Sequence, residues 1–187
     1  MTGQAASLSN SDWAKLEKHC QSDLHKLIWA LLRFTGARVN EVLNLKVSDV
    51  YDNNGRPFDY ILYRKETRKG KDKNHSVPVT NALHSYLAAY KPPTDGYLFP
   101  SDRTSSGHLS YEAVRDYLMK CATNAGLSHK AIKTHSGRRS LISNLISNGV
   151  DLRTVQAITG HSSIQNVIRY ADSNPHRCRL ALEGAYL

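Results

Sequence analysis

Residues 35–43 read Thr-Gly-Ala-Arg-Val-Asn-Glu-Val-Leu, and this stretch separates two apolar helical patterns. Before it, apolar residues recur at helical spacing from about Asp23 to Phe34, which predicts a helix with a wide buried face. Gly36 predicts the end of that helix, because glycine readily adopts the left-handed conformation that closes a helix. Apolar residues at 39–45 then predict a short helix with Arg38 at its start. Two helices joined by a tight turn that carries a cation therefore form the centre of the predicted fold.

A small sheet is predicted after this unit. Residues 59–67 alternate side chains between two faces, and residues 75–79 supply a partner strand. Asp52-Asn53-Asn54-Gly55 is a strong turn signal, and residues 47–50 before it form a possible third strand. The tip between the two main strands, residues 68–74, is rich in lysine and arginine. This region therefore predicts a three-stranded antiparallel sheet with a basic hairpin.

The rest of the chain is predicted to be helical. Caps and apolar periodicity place helices at 11–20, 80–90, 110–125, 135–147, 152–159, about 162–170 and 174–187. The fold class is therefore mainly α with a small antiparallel three-stranded sheet, an α+β arrangement. The length fits a single domain over 1–187, with a flexible arm at 1–10, a core at 11–173 and a C-terminal helical tail at 174–187.

The charge of the chain points to a polyanionic partner. The 187 residues carry a net charge of +9, and the isoelectric point is near 9.5. Such an excess favours nucleic acid first and an anionic membrane surface second. No stretch approaches the roughly 18 apolar residues of a membrane span, and the N-terminus lacks the pattern of a signal peptide. We therefore expect a cytoplasmic protein with a nucleic-acid partner and no membrane partner.

The three cysteines, Cys20, Cys121 and Cys178, are widely spaced. An odd number argues against a disulfide framework, and the lack of a Cys-x-x-Cys pair argues against a zinc site. We therefore expect no bound metal, and we expect the thiols to be small buried or half-buried groups.

Six side chains in four segments carry the chemistry that the sequence suggests. They are Arg38, a hairpin lysine (Lys69 or Lys71), His135, Arg138, His161 and Tyr170. Arginine forks and histidines match the oxygens of a phosphate, whose negative charge grows when a phosphodiester is attacked. A tyrosine can be the nucleophile and form a covalent intermediate, and a lysine on a hairpin tip can protonate the leaving oxygen. The set suits phosphodiester cleavage that needs neither a metal nor a cofactor.

The spacing of these residues supports this interpretation. His135 and Arg138 are three positions apart and project from one side of a helix start, where free backbone N–H groups attract an anion. His161 follows a glycine, and Tyr170 lies nine positions after His161. Each residue alone has an ordinary explanation as a surface charge, a helix cap, a structural histidine or a core aromatic. Only their order and spacing together favour a catalytic set.

This ordered set resembles the tyrosine recombinases, also called phage-type integrases. The resemblance extends from about Leu8 to Tyr170. It is carried by Thr-Gly-Ala-Arg38-Val-Asn-Glu41-Val-Leu, the basic hairpin before Val77-Pro78-Val79, His135-x-x-Arg138, and Gly160-His161 with nine positions to the tyrosine.

The resemblance implies a role for each matching residue. Arg38 and Arg138 would clamp the scissile phosphate, and His161 would donate a hydrogen bond to it. His135 would assist removal of the tyrosine proton. Tyr170 would then form a 3′-phosphotyrosyl bond.

The resemblance leaves the position of the lysine open. Residues 66–69, Glu-Thr-Arg-Lys, match the end of the family's second strand and favour Lys69. Counting back from Pro78 lands on Gly70, between Lys69 and Lys71. We therefore expect Lys69 to be the general acid, with Lys71 as the alternative. Glu41 matches an acidic position of the family and is expected to support the arginine site rather than perform chemistry.

Three residues depart from the family pattern. In the common His-x-Leu-Arg-His motif, Gly137 replaces the leucine and Arg139 replaces the second histidine. Thr159 stands where leucine usually precedes Gly-His. The ionisable catalytic groups are kept, so we still expect activity.

The two ends of the chain raise separate expectations. Most members carry an additional N-terminal helical domain that closes around DNA, whereas the catalytic pattern here begins almost at Met1. We expect a natural short recombinase, similar to the fimbrial-switch invertases, or an excised catalytic fragment, with weak and strongly salt-dependent DNA binding. The tail at 174–187 is expected either to dock on a neighbouring protomer or to pack on its own domain.

The expected function is site-specific DNA recombination by metal-independent strand cleavage and rejoining through Tyr170. The implied partners are double-stranded DNA and further copies of the chain, in a tetrameric synapse. One alternative is a nicking-closing activity, if no tetramer assembles. Another is a DNA-binding accessory module with a vestigial site, against which the complete Arg, Lys, His, Arg, His, Tyr set argues. A covalent protein–DNA adduct would separate the enzyme from the accessory module.

Overall fold

The computed structural model describes residues 5–68 and 73–170, together with Arg179, Leu182 and Glu183. The helices of this part are α1 (Asn10–Lys18), α2 (Asp23–Phe34), α3 (Val39–Leu43), α4 (Asn81–Ala89), α5 (Tyr111–Asn124), α6 (Ser136–Ser147), α7 (Leu152–Thr159) and α8 (Gln165–Ile168). Two strands, β1 (Tyr60–Tyr63) and β2 (His75–Pro78), pair between α3 and α4. The predicted mainly helical fold with a small antiparallel sheet is therefore confirmed.

Helix α2 is the centre of the main core. Its six residues from Leu27 to Leu32 are all buried, as expected for a helix that is apolar on most of its circumference. It packs against α4 and α6 and also contacts α3. Burying a leucine or isoleucine side chain contributes roughly 1.5–3 kcal/mol to the stability of the fold. The buried residues of α2 therefore stabilise the packing of the neighbouring helices against it.

The turn after α2 is fixed by Thr35 and Gly36. The Thr35 hydroxyl donates to the carbonyl oxygen of Leu31 at 2.7 Å and accepts the N–H of Ala37 at 3.2 Å. Gly36 has a φ of +64°, in the left-handed region that glycine adopts without steric cost. The chain therefore reverses within a few residues, and Arg38 becomes the N-cap residue of α3.

The sheet has two strands within the part of the chain that the structure describes, and the predicted third strand at 47–50 is wrong. Val47–Asp49 forms a 3₁₀ turn instead. The Asp49 carboxylate accepts the Lys46 N–H at 2.9 Å, which closes this turn and removes the segment from the sheet. The first strand is also shorter than predicted, because a second 3₁₀ turn at Lys65–Thr67 follows it.

A second, smaller core lies among the last three helices. Ile142 and Ile146 of α6, Val155 of α7 and Val167 of α8 are buried together. Tyr170 is half-buried and packs at the edge of this cluster. Helices α6 to α8 therefore form one unit that holds Tyr170 close to α6.

The described N-terminal residues run along the domain. Ala6 donates its N–H to the carbonyl oxygen of Ala131 at 2.8 Å, and buried Leu8 donates its N–H to the Ser140 hydroxyl at 2.7 Å. The tail predicted at 174–187 lies outside the described residues except for three positions. Among the described helices, none has the length and apolar character that crossing a membrane requires.

Candidate active site

Arg138 is the buried cation at the centre of the site, with only 3% of its surface exposed. Its Nη1 donates to the carbonyl oxygen of Gly36 at 2.6 Å, and its Nη2 lies 2.8 Å from Nε2 of His161. Burial, followed by the positive charge of Arg38, lowers the pKa of Arg138 to about 10. The guanidinium remains protonated at neutral pH and is positioned to bind an anion.

The start of α6 lies directly against the backbone of α2 at Gly137. A Cβ added at Gly137 would meet the carbonyl oxygen of Leu32 at 2.7 Å and the carbonyl carbon at 2.8 Å. Glycine therefore permits an approach that a larger residue would block. This close packing brings Arg138 to the turn after α2, which gives a physical reason for glycine at this departure from the family pattern.

Glu41 joins two arginines. Its Oε1 pairs with Nη1 of Arg38 at 3.1 Å and with Nε of Arg68 at 3.7 Å. Its Oε2 accepts the backbone N–H of Arg38 at 2.8 Å. Glu41 is 5% exposed, so it lies behind the site and fixes the direction of the Arg38 side chain. This geometry suits the supporting role predicted for Glu41.

His161 is held on both sides of its ring. Helix α7 ends at Thr159, and Gly160 after it, with a φ of +62°, turns the chain toward the site. The Nδ1 atom of His161 lies 2.7 Å from the Thr159 hydroxyl, and Nε2 faces Arg138. Its backbone oxygen accepts the side-chain amide of Gln156 at 3.1 Å. The imidazole is therefore fixed before any ligand binds.

The base of the hairpin is attached to the carboxyl end of α7. Arg68 donates to the carbonyl oxygen of Gly160 at 3.3 Å, and Nε2 of His75 donates to that of Ile158 at 3.0 Å. Such donors satisfy the last carbonyls of a helix and interact favourably with its dipole. Burial lowers the pKa of both Arg68 and His75. These two bonds connect the lysine hairpin with the loop that carries His161.

Tyr170 lies beside α6 and the His161 loop. Its ring centroid is 6.3 Å from that of His161. The guanidinium carbon of Arg139 lies 5.8 Å from the Tyr170 ring centroid, which is within cation–π range. The tyrosine backbone N–H donates to the carbonyl oxygen of Val167 at 2.9 Å.

His135 is the N-cap residue of α6, and its side chain is open to solvent on the cleft side. The protein packed around the ring, followed by the charges of Arg138 and Arg38, lowers the pKa of His135. A lowered pKa keeps the imidazole neutral near pH 7. Neutral imidazole is the form that can accept a proton.

Five of the sequence-predicted catalytic residues line a single cleft of about 550 Å³. They are Arg38, His135, Arg138, His161 and Tyr170. Lys69 and Lys71 lie outside the described residues. The catalytic role of each residue stays a prediction, whereas their common position in one cleft is a feature of the fold.

The described lining of the cleft is strongly basic. It includes Lys133, Arg139 and Arg169 in addition to the predicted residues, and it contains no carboxylate. Within the described residues, no group of three or more His, Cys, Asp or Glu side chains is arranged to hold a metal ion. The cleft therefore fits a polyanion.

Several of these residues were not singled out from the sequence. Arg68 bonds to Gly160, 92 positions away, so no local pattern indicated its contact. Lys133 and Arg169 are ordinary basic residues in the sequence. Arg139 and Thr159 gave one signal, since both depart from the family pattern at positions next to catalytic residues.

The fold and the cleft together define a class of helical domain that presents a tyrosine beside clustered arginines and histidines. A model of the phage integrase family matches residues 8–177, and the chain belongs to that family. The resemblance inferred from the sequence motifs is therefore confirmed.

Similar proteins are recombinases. The chain is 34% identical over 169 residues to the tyrosine recombinase XerD of Rhizobium meliloti (strain 1021), with 89% of this chain and 50% of the relative covered. The crystal structure of XerA recombinase has a TM-score of 0.75 and 25% identity, covering 97% of this chain and 64% of that one. XerH site-specific recombinase bound to difH substrate, in a pre-cleavage complex, has a TM-score of 0.71 and 25% identity, covering 94% and 53%. The chain spans about half the length of the curated relatives it matches.

Proposed function

We propose that this chain is the catalytic domain of a tyrosine-type site-specific DNA recombinase that cleaves and rejoins DNA through a 3′-phosphotyrosyl intermediate at Tyr170. The proposal depends on one observation above all, the cleft in which two arginines, two histidines and a tyrosine face each other. Relatives named XerD and XerA are tyrosine recombinases, and the XerH structure is a complex with its difH substrate. These similarities support the same reaction type for this chain.

Arg38 and Arg138 would bind the scissile phosphate. Glu41 fixes the first arginine and the Gly36 carbonyl oxygen fixes the second, so both donors are positioned before DNA arrives. His161 would add a third hydrogen bond. Each preorganised donor of this type contributes roughly 10²- to 10³-fold in rate, because it stabilises charge that develops in the transition state.

The covalent step exchanges one ester bond for another. The Tyr170 oxygen attacks phosphorus, the bond from phosphorus to the 5′ oxygen breaks, and the tyrosine becomes joined to the 3′ phosphate. Neutral His135 would take the phenol proton. The bond formed retains the energy needed for rejoining, because a 5′-hydroxyl can attack it in the reverse sense. The residues of the cleft and hairpin account for these proton transfers without a cofactor.

The leaving 5′ oxygen would receive its proton from a hairpin lysine. Lys69 is the stronger candidate because it directly follows Arg68, whose side chain is bonded to the Gly160 carbonyl oxygen beside the site. Lys71 is two residues farther from this anchor. Comparing Lys69→Ala and Lys71→Ala on a substrate with a 5′-phosphorothiolate tests the choice. Since a thiolate leaves without a general acid, only the variant lacking the true acid should be rescued.

The proposal also defines partners and organisation. Double-stranded DNA would bind across the cleft, and further copies of the chain would assemble on it into a tetrameric synapse in the cytoplasm. The catalytic core would extend over 11–173, with an arm at 1–10 and a tail at 174–187 that is exchanged between protomers. Truncation before Asn174 should then abolish synapsis while single-site binding persists, whereas unchanged synapsis would show that the tail has no such role.

Formation of a covalent protein–DNA adduct tests the reaction. Nicked duplexes with a randomised central segment are incubated with the chain, and adducts that survive denaturing electrophoresis are recovered and sequenced. We expect adducts with the native chain and none with Tyr170→Phe, which removes the nucleophilic oxygen but keeps the ring. Tyr60→Phe is the matched control, because Tyr60 is 59% exposed on β1 and does not line the cleft.

The possible outcomes separate the candidate functions. An adduct that persists in Tyr170→Phe would assign the nucleophile elsewhere and refute the mechanism. DNA binding without an adduct in any variant would favour a non-catalytic accessory module. An adduct accompanied by plasmid relaxation, but by no recombinant product, would indicate a nicking-closing activity.

A further inference from the structure

A continuous chain of hydrogen bonds crosses the His161 ring. Its first member is the Thr159 hydroxyl, which donates to the backbone oxygen of Val155 at 2.6 Å. The same hydroxyl oxygen lies 2.7 Å from Nδ1 of His161. On the other side of the ring, Nη2 of Arg138 lies 2.8 Å from Nε2. Every link is within hydrogen-bonding distance, so the proton positions can be deduced from the partners.

The contacts on the two sides of the ring require the same form of the imidazole. A guanidinium has only donors, so Nε2 of His161 accepts from Arg138 and carries no proton as long as this contact is made. A hydroxyl has one proton, and that of Thr159 is given to the Val155 carbonyl oxygen. The hydroxyl oxygen must therefore accept from Nδ1, which carries the ring proton. In the ligand-free protein His161 is neutral and protonated on Nδ1.

We propose that Thr159 is a positioning residue that locks His161 in this Nδ1–H tautomer, with the Nε2 lone pair directed at Arg138 and the phosphate position. Leucine, the usual residue before Gly-His in this family, offers Nδ1–H no acceptor. Thr159 is 3% exposed, so water does not replace its hydroxyl as a partner. The lock itself is a property of the ligand-free protein, whereas its catalytic consequence rests on the function proposed above.

The lock determines how His161 can assist the reaction. A histidine that keeps its proton on Nδ1 can donate from Nε2 to a phosphate oxygen only when it carries a second proton. His161 must therefore act as an imidazolium. The negative charge of the phosphate stabilises this form, and the Thr159 hydroxyl oxygen still accepts the hydrogen bond from Nδ1–H. The native chain should lose adduct formation as pH rises and that second proton is released.

The surroundings of His161 strengthen this requirement. The charged and titratable groups around it are Arg138 and Arg139 of α6, His135 and Lys133 before them, Arg38 at the start of α3 with its partner Glu41, Arg68 and His75 of the hairpin, and Arg169 and Tyr170 after α8. The cations among them oppose a positive imidazole while the cleft is empty. The negative charge of a bound phosphate offsets these cations, so binding of DNA should be accompanied by uptake of the second proton on His161.

The direct test is the tautomer of His161 in the ligand-free protein. Long-range ¹H–¹⁵N correlation spectra of ¹⁵N-histidine-labelled protein, recorded at about pH 8 where histidines are mostly neutral, distinguish Nδ1–H from Nε2–H. The His161→Gln spectrum identifies the signals of this residue among the nine histidines. We expect Nδ1–H in the native chain and in Thr159→Ser. Thr159→Val keeps the shape but removes the oxygen that accepts from Nδ1–H, and the loss of that acceptor in a buried position is costly. Nε2–H should therefore become populated, with Arg138 moving away from Nε2.

The second test is the pH profile of adduct formation. In Thr159→Val a neutral His161 can donate from Nε2, so the variant no longer needs the second proton. The rate of adduct formation by Thr159→Val, divided by that of the native chain, should rise with pH. The rise should reach about tenfold per pH unit at pH values where His161 of the native chain has lost its second proton. Thr159→Ser should follow the native profile. A loss of packing alone would lower the rate by the same factor at every pH.

The two tests fail independently. A native His161 protonated on Nε2, or a Thr159→Val variant with the native tautomer and pH profile, would overturn the lock. If neither the native chain nor any variant forms an adduct, the proposed function is refuted, and the spectra still decide whether Thr159 fixes the tautomer. If Thr159→Val does not fold, the spectrum of the native chain alone decides the outcome.

Discussion

Replacing Gly137 with alanine should destabilise the protein and disturb the site at the same time. The new methyl group would lie 2.7 Å from the Leu32 carbonyl oxygen and 3.1 Å from the Arg33 nitrogen, both of them backbone atoms of α2. Backbone atoms cannot rotate away as a flexible side chain would. The two helices must therefore separate to accommodate the substitution.

The magnitude follows from two opposing contributions. Alanine has the higher helix propensity, which favours the variant by at most about 1 kcal/mol. Overpacking in a rigid core costs roughly 1–3 kcal/mol, and the backbone contact places this site in the upper part of that range. The net loss is about 1–2 kcal/mol, which for a domain of this size lowers Tm by about 2–8 °C.

The displacement of α6 also carries His135 and Arg138 away from the turn after α2. A misplacement of about 1 Å can lower a rate by about 10²-fold. The rate of adduct formation should therefore fall by up to about this factor, beyond any loss caused by unfolding. Thermal unfolding followed by circular dichroism and the adduct assay measure the two effects. Asn144→Ala is the control, because Asn144 is exposed on the same helix and its replacement should leave both quantities near native values. A Gly137→Ala protein with a Tm equal to or above that of the native chain would refute the close helix contact.

Two further predictions concern stability at low pH and DNA affinity. The hydrogen bond from Lys130 lowers the pKa of Asp12 from 3.8 to about 2. The ionised carboxylate therefore contributes about 2 kcal/mol to the free energy of unfolding above pH 4, and this contribution is lost as pH falls toward 2. Urea unfolding across that range should show this loss in the native chain and not in Asp12→Asn. Lys133→Ala should weaken DNA binding and reduce the slope of log affinity against log salt by about 1, since Lys133 lines the cleft. Lys120→Ala, outside the cleft, should leave the slope unchanged in anisotropy titrations, and equal slopes for the two variants would contradict this assignment.

Much of the helical framework could be predicted because its signals are local. Helix α2 begins and ends where apolar periodicity and the glycine after it predicted. Helix α7 also matches its predicted range, because the Asp151 carboxylate caps it at one end and Gly160 stops it at the other. Apolar spacing, caps and stops act within one or two turns, so the sequence displays them directly.

The sheet was predicted less well because its limits depend on competing local bonds. Residues 47–50 begin and end with valine, a residue that favours strands. The Asp49 carboxylate nevertheless captures the Lys46 N–H and bends the segment into a turn. Composition alone does not indicate which of two local arrangements is lower in free energy.

The candidate site shows the same division between local and distant contacts. The residues grouped in short motifs, such as His135 and Arg138, were found by spacing. Arg68 was not, because its partners Glu41 and Gly160 belong to distant segments. The sequence therefore indicated the residues of the cleft, and the fold was needed to find those that hold its parts together.

Carbonyl oxygens, more than carboxylates, hold the cations of this site. Arg138 donates to Gly36, and Arg68 donates to the backbone oxygens of Lys73 and Gly160. A carbonyl oxygen satisfies a buried N–H without cancelling its charge, whereas a carboxylate would neutralise the group and compete with a phosphate. Repulsion among the cations then persists in the empty cleft, and it adds to burial, the larger cause, in lowering the pKa of His135 and of Arg138. A bound phosphate would relieve this repulsion, so the electrostatic free energy released would favour binding of the proposed DNA backbone in the cleft.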